Sequence, residues 1–308
     1  VPAAAEHANA FTIGTGIVPE AIAHWLRRCW DTEAPVANLG AVDVSFADSA
    51  PDPPQRGAVV TTTLDGARLT WLRLGERRWQ TSRADAGVEL QLDGRSRVLA
   101  WPRTSNADFA SVEWSKLAIH LALCEAQRAR GLVPLHAAVI VRDGRATALV
   151  GRSGAGKSTA LLDAIDAGWS PLAEDFAWLD PVTRRVSAWK GDRGVRLTDA
   201  GLSRLSARWQ SRAWRREPDR KLLLAYADMR AQHTRVAELT RIVLLQRDAT
   251  LPSSLETLAP RDATRALWES AGVPLCRINR DAFAARAPSL LSGLVWQRLV
   301  VGRGPSSL

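Results

Sequence analysis

Cysteine is scarce in this chain: Cys29, Cys124 and Cys276 are the three in 308 residues, scattered and with no C-x-x-C pair. That excludes a disulfide framework and a cysteine-based zinc site, and it fits a reducing compartment holding three ordinary buried thiols. Long apolar runs are missing too. Every apolar stretch is broken by charge well short of the roughly 20 residues that a spanning helix needs, so no membrane partner is expected. Val1–Glu6 has no basic segment followed by an apolar one, so no secretory signal is expected there and a cytoplasmic protein is the default. Lysine is rare as well: Lys116, Lys157, Lys190 and Lys221 are four of 41 basic residues, the other 37 being arginine. Such a bias is more often a matter of genome composition than of function.

What is present allows a folded protein of about two domains, since 46% of the residues are hydrophobic. The net charge of +9 suits an anionic partner such as a nucleotide, an acidic peptide or nucleic acid. Residues 1–130 read as a β-rich domain. An amphipathic helix over Ala21–Trp30 precedes strands at Val42–Phe46, Val59–Thr63, Thr70–Leu74, Arg78–Thr81, Val88–Leu92 and Arg97–Trp101. Turn signals stand at Asp65-Gly66 and Asp93-Gly94, and a proline-rich loop covers Ser49–Arg56. A helix over Phe109–Arg130, stopped by Gly131, closes this part. No chemistry is recognisable in it.

Residues 131–308 read as an α/β domain. Strands at Leu135–Val141 and Ala146–Val150 flank an Asp143-Gly144 turn, and the second runs straight into Gly151. A helix is predicted over Lys157–Ala167, then strands at Pro171–Ala173, Ala177–Leu179, Arg185–Trp189 and Arg241–Gln246. Further helices are predicted over Asp199–Arg216, Pro260–Ala271 and Asp281–Trp296.

Between the second strand and its helix, Gly151-Arg152-Ser153-Gly154-Ala155-Gly156-Lys157-Ser158 matches G-x-x-x-x-G-K-[ST] at every fixed position. The pattern has a physical basis. Glycines let successive N–H groups turn inward on phosphate oxygens, Lys157 adds a cation, the Ser158 hydroxyl can ligate Mg²⁺, and the following helix contributes its positive end. Gly151, Ser153, Gly154, Ala155, Gly156, Lys157, Ser158 and Thr159 are therefore the expected nucleotide-binding residues, for ATP with Mg²⁺.

Spacing narrows the choice among such proteins. Asp175, in the pair Glu174-Asp175, lies only 18 residues past Lys157, and His136 lies 21 residues before it. His136 in LHAAVIV, the loop GRSGAGKST and Glu174-Asp175 in GWSPLAEDFAWLD resemble the C-terminal domain of HPr kinase/phosphorylase and its relatives. The resemblance covers about residues 131–200 well. It implies a P-loop kinase domain akin in fold to phosphoenolpyruvate carboxykinase, acting as an ATP-dependent serine kinase. By the same resemblance Ser158 and Asp175 would hold Mg²⁺, Lys157 the phosphates, and Glu174 the serine proton with His136 beside it. The family has Asp where this chain has Glu174, so proton acceptor and metal ligand can be divided either way between the two acids. Gly191–Arg196 does not match the family's downstream signature, which argues against HPr as acceptor and against phosphorolysis. Divergent relatives include kinases of lasso-peptide precursors, so the expected partner is a peptide or small protein, acidic if the basic residues bind it. Relatives of this group commonly assemble, which leaves a homo-oligomer open.

Other readings of the same residues remain. His136 between two apolar runs also fits a core histidine. Lys221, Arg193 and Arg196 are candidates for the γ-phosphate, or simply exposed charges. Arg204, Arg208, Arg212 and Arg216 recur every four residues near Trp209 and Trp214, as either a peptide clamp or a solvated helix face. A nucleotide-binding regulator or scaffold without transfer chemistry would share the loop. A nucleic-acid-dependent ATPase is not expected, because the acids follow the loop too soon.

Overall fold

The computed structural model describes residues 11–13, 20–30, 42–47, 57–64, 67–83, 86–93, 96–101, 109–189, 194–217, 221–229 and 232–303. The fold is mixed α/β with several sheets. Val1–Leu132 with Val273–Ala285 form one compact unit, and Val133–Gly272 with Arg286–Leu308 form another. Among the described residues no helix is long and apolar enough to cross a membrane.

In the first unit, alternation produces strands. The sheet comprises β1 (Phe11–Ile13), β2 (Val42–Phe46), β3 (Ala58–Leu64), β4 (Ala67–Arg73), β5 (Arg78–Arg83), β6 (Ala86–Gln91) and β7 (Arg97–Trp101), in the order β1-β2-β7-β6-β5-β4-β3. Val42, Val44 and Phe46 alternate inward along β2, as a period of two requires. Two helices belong to this unit, α1 (Glu20–Cys29) and α2 (Phe109–Ala129), and α2 packs on β6 and β7. Ala118, Ile119, Ala122, Leu123 and Ala126 form its buried face at helical spacing. The expected loop at Ser49–Arg56 and the turn at Asp65-Gly66 lie outside the described residues, as does Gly94 of the other turn.

The second unit holds β8 (Val133–Arg142), β9 (Arg145–Val150), α3 (Lys157–Asp166), β10 (Ser170–Ala173), β11 (Phe176–Leu179) and β12 (Arg185–Ala188). It continues with β13 (Gly194–Leu197), α4 (Asp199–Leu202), α5 (Ala207–Gln210), β14 (Arg215–Arg216), β15 (Leu222–Ala225), β16 (Val236–Pro252), β17 (Ser254–Thr257), α6 (Pro260–Ala271) and β18 (Val295–Arg303). Helix α7 (Arg277–Gly293) begins in the first unit and ends in the second. Strand β8 is the hub: it pairs antiparallel with β9 across the Asp143-Gly144 turn, with β10 through its second half, and with β11 through its first half. Strand β16 pairs in parallel with β9 and β18 and antiparallel with β12. The pairings β8-β11-β12-β16-β9 therefore return to β8. Leu161, Leu162 and Ile165 of α3 enter a core with Ile140, Leu149, Val243, Leu245 and Leu299. Each such side chain contributes about 1.5–3 kcal/mol on burial. Strands β13, β15 and β14 form a separate small sheet.

Three expectations need correction. Asp199–Arg216 is not one helix but the two short helices α4 and α5 and then β14, so the four arginines form no helical stripe. Trp209 explains the break: it is 1% exposed, its indole N–H donates to Asp166, and burying it bends the chain back onto α3. Arg208 pairs with Asp166 and Arg216 with Asp199, so two of the supposed clamp residues are occupied structurally. The last helix starts at Arg277 and stops at Gly293, and Trp296 lies in β18. Arg241–Gln246 is only the middle of the 17-residue β16.

The segment Val273–Ala285, placed by the sequence in the second domain, belongs to the first unit. Glu125 is the reason. This α2 carboxylate is fully buried and accepts the backbone N–H groups of Leu275 and Cys276 and the Asn279 side-chain amide, with Arg128 at 3.2 Å. All three cysteines are buried and outside any disulfide. Burial pushes the Cys124 thiol up to about 12, and burial with the neighbouring Glu125 charge pushes Cys276 up as well. Replacing Glu125 with Ala orphans two backbone donors and leaves a guanidinium without its buried partner. It is expected to destabilise the first unit by about 3–5 kcal/mol in urea denaturation, whereas a loss below about 1 kcal/mol would show that the segment is held by other contacts.

Candidate functional site

The glycine-rich loop starts where β9 ends, between two backbone constraints. Gly151 has φ 155°, and a Cβ there would come within 2.9 Å of the Leu245 carbonyl oxygen on β16. Gly154 and Gly156 have φ of 80° and 100°, in the left-handed region that favours glycine. The Ala155 N–H donates to the Arg152 carbonyl and tightens the turn. Gly156 caps α3 without any side-chain hydrogen bond, so the first N–H groups of the helix have no side-chain acceptor at the cap. Lys157 is buried, and its Nζ donates to the Gly151 carbonyl at 3.0 Å, closing the loop on itself. Burial lowers the Lys157 pKa, while the nearby charges of Asp175 and Glu174 work against that shift.

The acids arrive by register. In the β8–β11 pairing His136 stands opposite Phe176, and the Ala137 N–H donates to the Asp175 carbonyl at 3.1 Å. His136 is the one exposed residue in the interior of β8, so it is not a core histidine. Its Nε2 lies 3.1 Å from Asp175 Oδ1. Glu174, 6% exposed, turns the other way and accepts a hydrogen bond from the Ser158 hydroxyl. Arg196, on β13, reaches both acids, with Nε 4.0 Å from Glu174 Oε2 and a terminal nitrogen 3.6 Å from Asp175 Oδ2.

His136, Lys157, Ser158, Glu174, Asp175 and Arg196 thus converge. Lys221 stands exposed just before β15, and Arg193 lies outside the described residues. Among the described residues, no group of three or more His, Cys, Asp or Glu side chains could hold a metal ion. A hydroxyl against one buried carboxylate suits Mg²⁺, which takes one or two carboxylates and completes its shell with water and phosphate. The chain matches no family model and no curated protein. What the site can do is therefore set by its own residues.

Three side chains beside the loop carry no signal in the sequence pattern. Arg247, in the second half of β16, lies close enough that a Cβ on Gly156 would meet its Nη2 at 3.3 Å. Asp163 and Trp169 line a cavity with it. Arg247 is hidden among 37 arginines, and nothing local distinguishes it.

Crowding by protein would raise the Asp175 carboxyl. The His136 hydrogen bond and the charges of His136, Arg196 and Lys157 outweigh this and hold it at about 2. That lies below the unfolded value of about 3.9. Its stabilising contribution is therefore present above about pH 4 and lost as pH falls towards 2. Asp175 is thus a carboxylate throughout the neutral range, and titration of this group generates no acid limb above about pH 4. Replacing Arg196 with Ala is expected to raise the Asp175 pKa by about one pH unit, read by carboxyl-carbon NMR titration. An unchanged value would show that Arg196 contributes nothing to the field at the acids.

Proposed function

We propose that the chain is a Mg-ATP-dependent kinase that transfers the γ-phosphoryl group to a hydroxyl, a serine of a peptide or small protein being the preferred acceptor. Its second unit would be a P-loop kinase domain of the HPr kinase and phosphoenolpyruvate carboxykinase type. The observation that carries the reading is the division of the acids: Glu174 on the Ser158 hydroxyl, Asp175 on the exposed His136. A site built only to bind nucleotide has no use for a second, outward carboxylate paired with an imidazole.

The same division favours one assignment over the other that the sequence left open. Ser158 and Glu174 are the residues that would hold Mg²⁺, and Asp175 is the group that would receive the acceptor's proton. The resemblance implied the reverse, but Glu174 is buried against the loop and Asp175 is half-exposed. Mg²⁺, when bound, neutralises charge on the phosphates. Lys157 and the N–H groups of the loop and first turn of α3 cradle the β- and γ-phosphates. The acceptor oxygen forms a bond to the γ-phosphorus, the bond from that phosphorus to the β–γ bridging oxygen breaks, and ADP leaves with the electron pair. The hydroxyl proton passes to Asp175. A carboxylate with so low a pKa is a weak base, which suffices where transfer depends chiefly on positioning and charge neutralisation. Arg196, shared between the acids, can swing to the charge that develops on the transferred group.

The test uses γ-labelled ATP with serine peptides of graded acidity. Lys157→Ala and Glu174→Gln are expected to lower transfer at least about 100-fold. Asp175→Asn should lower kcat while leaving KM for ATP nearly unchanged. Wild-type transfer by the Lys157 variant would remove the site assignment. Nucleotide binding without ADP release for any acceptor would favour a regulator in place of a kinase.

A further inference from the structure

Beside the glycine-rich loop, on the side of α3 away from the acids, lies a cavity of about 310 Å³. Its wall is continuous with the loop, since Ala155, Gly156 and Thr159 belong to both. Along α3 it is bounded by Thr159, Ala160, Asp163, Ala164 and Ala167, which share one helical face. Four of those five are Thr or Ala, and their small size leaves the volume open. Opposite stand Leu299 and Val301 of β18, with Trp169 and Arg247. The indole of Trp169 is pinned by the Arg142 guanidinium, 5.6 Å from the ring centroid. The volume is at the lower end of the range for small-molecule pockets, and the lining has their usual character: apolar walls with a few polar groups.

We infer that this cavity receives the nucleoside half of the nucleotide, with Trp169 as the wall against which a purine base packs and Asp163 as the acceptor for an amino group on that base. The inference rests on the reading of the loop as a phosphate cradle. A flat, partly buried indole held in place by an arginine offers a base an aromatic contact at little entropic cost. Arg247 stands where cavity meets loop, close against Gly156, which suits a cation for the phosphate nearest the nucleoside. Asp163 is the one acidic side chain on the wall. An acceptor-only carboxylate there selects bases that present N–H donors. Adenine and guanine each offer an amino group and unsubstituted purine none, so Asp163 separates purines that carry an amino group from those that do not.

The test is calorimetric, on the whole chain, with ADP, GDP, the diphosphate of unsubstituted purine riboside, and inorganic tripolyphosphate as probes. Trp169→Ala is expected to weaken ADP about tenfold or more and leave tripolyphosphate unchanged. Asp163→Ala, at an exposed position that the fold tolerates, should cost ADP and GDP about tenfold and the purine riboside diphosphate nothing. Equal affinity of the wild-type protein for ADP and the purine riboside diphosphate would overturn the role of Asp163. Unchanged ADP binding in both variants, with tripolyphosphate still bound, would overturn the nucleoside site alone. Failure of tripolyphosphate and every nucleotide to bind would instead remove the phosphate cradle on which the inference stands.

Discussion

The backbone hydrogen bond from the Ala137 N–H to the Asp175 carbonyl is a small contact on which the whole site depends. It belongs to a register in which β8 pairs with β11 through Val133–His136 and with β9 through Ala137–Arg142. Strand β9 delivers the glycine-rich loop and β11 carries the chain away from the acids, so β8 sets the distance between loop and acids through two ladders at once. A one-residue slip of β11 would reverse the face of each of its side chains and move Asp175 off His136. Because Leu135 and Ala137 are fully buried on either side of His136, the core itself opposes that slip. The precision of the site is inherited from apolar packing and needs no separate device.

Within that frame the charges are arranged as a chain of alternating sign. His136 meets Asp175, Asp175 meets Arg196, Arg196 reaches Glu174, and Glu174 accepts from Ser158. Lys157 is the most buried cation of the group and is directed at a carbonyl rather than at a carboxylate. Burial disfavours its charge and the acids favour it, and burial is the larger effect. An incoming polyanion reverses that balance, because it offers Lys157 a stronger partner than a neutral carbonyl. The lysine is therefore held in a state that the proposed phosphate binding would relieve. Exposed charge elsewhere follows different rules: Arg208 and Arg216 are spent on Asp166 and Asp199, where they brace the turns around Trp209.

Legibility followed the range of the interactions. The β8–β9 hairpin could be read from Asp143-Gly144 between apolar runs, and both residues take positive φ in the turn. The loop and the start of α3 could be read because strand, glycines and helix are consecutive in the chain. Asp199–Arg216 was misread because a four-residue repeat of arginine imitates a helix, whereas burial of Trp209 against Asp166, 43 residues away, decides the path. The return of Val273–Ala285 to the first unit was invisible for the same reason, since it hangs on Glu125, about 150 residues earlier. Arg196 was legible as a candidate for the γ-phosphate but not as the residue shared between Glu174 and Asp175, and Arg247 was not legible at all. Ser292-Gly293 stands just before β18 as a helix-stop signal, but the apolar run on both sides of it continues the helix pattern, so Trp296 was absorbed into the preceding helix.

Successive residues at the start of α3 point about 100° apart, and this lets one helical turn serve two faces. Ser158 turns to the acids, while Thr159, Ala160 and Asp163 line the cavity on the other side. A glutamate at position 174 fits that geometry. Its extra methylene lets a buried carboxylate span from β11's entry to the Ser158 hydroxyl while its neighbour, one residue on and a methylene shorter, stays with His136 at the surface. Two aspartates would place both carboxylates at similar reach and compete for the same partners. With glutamate first and aspartate second, side-chain length adds to the opposite directions of the two residues in separating a group facing the loop from a group facing solvent. The glutamate at residue 174 thus reinforces the division of partners between the two acids.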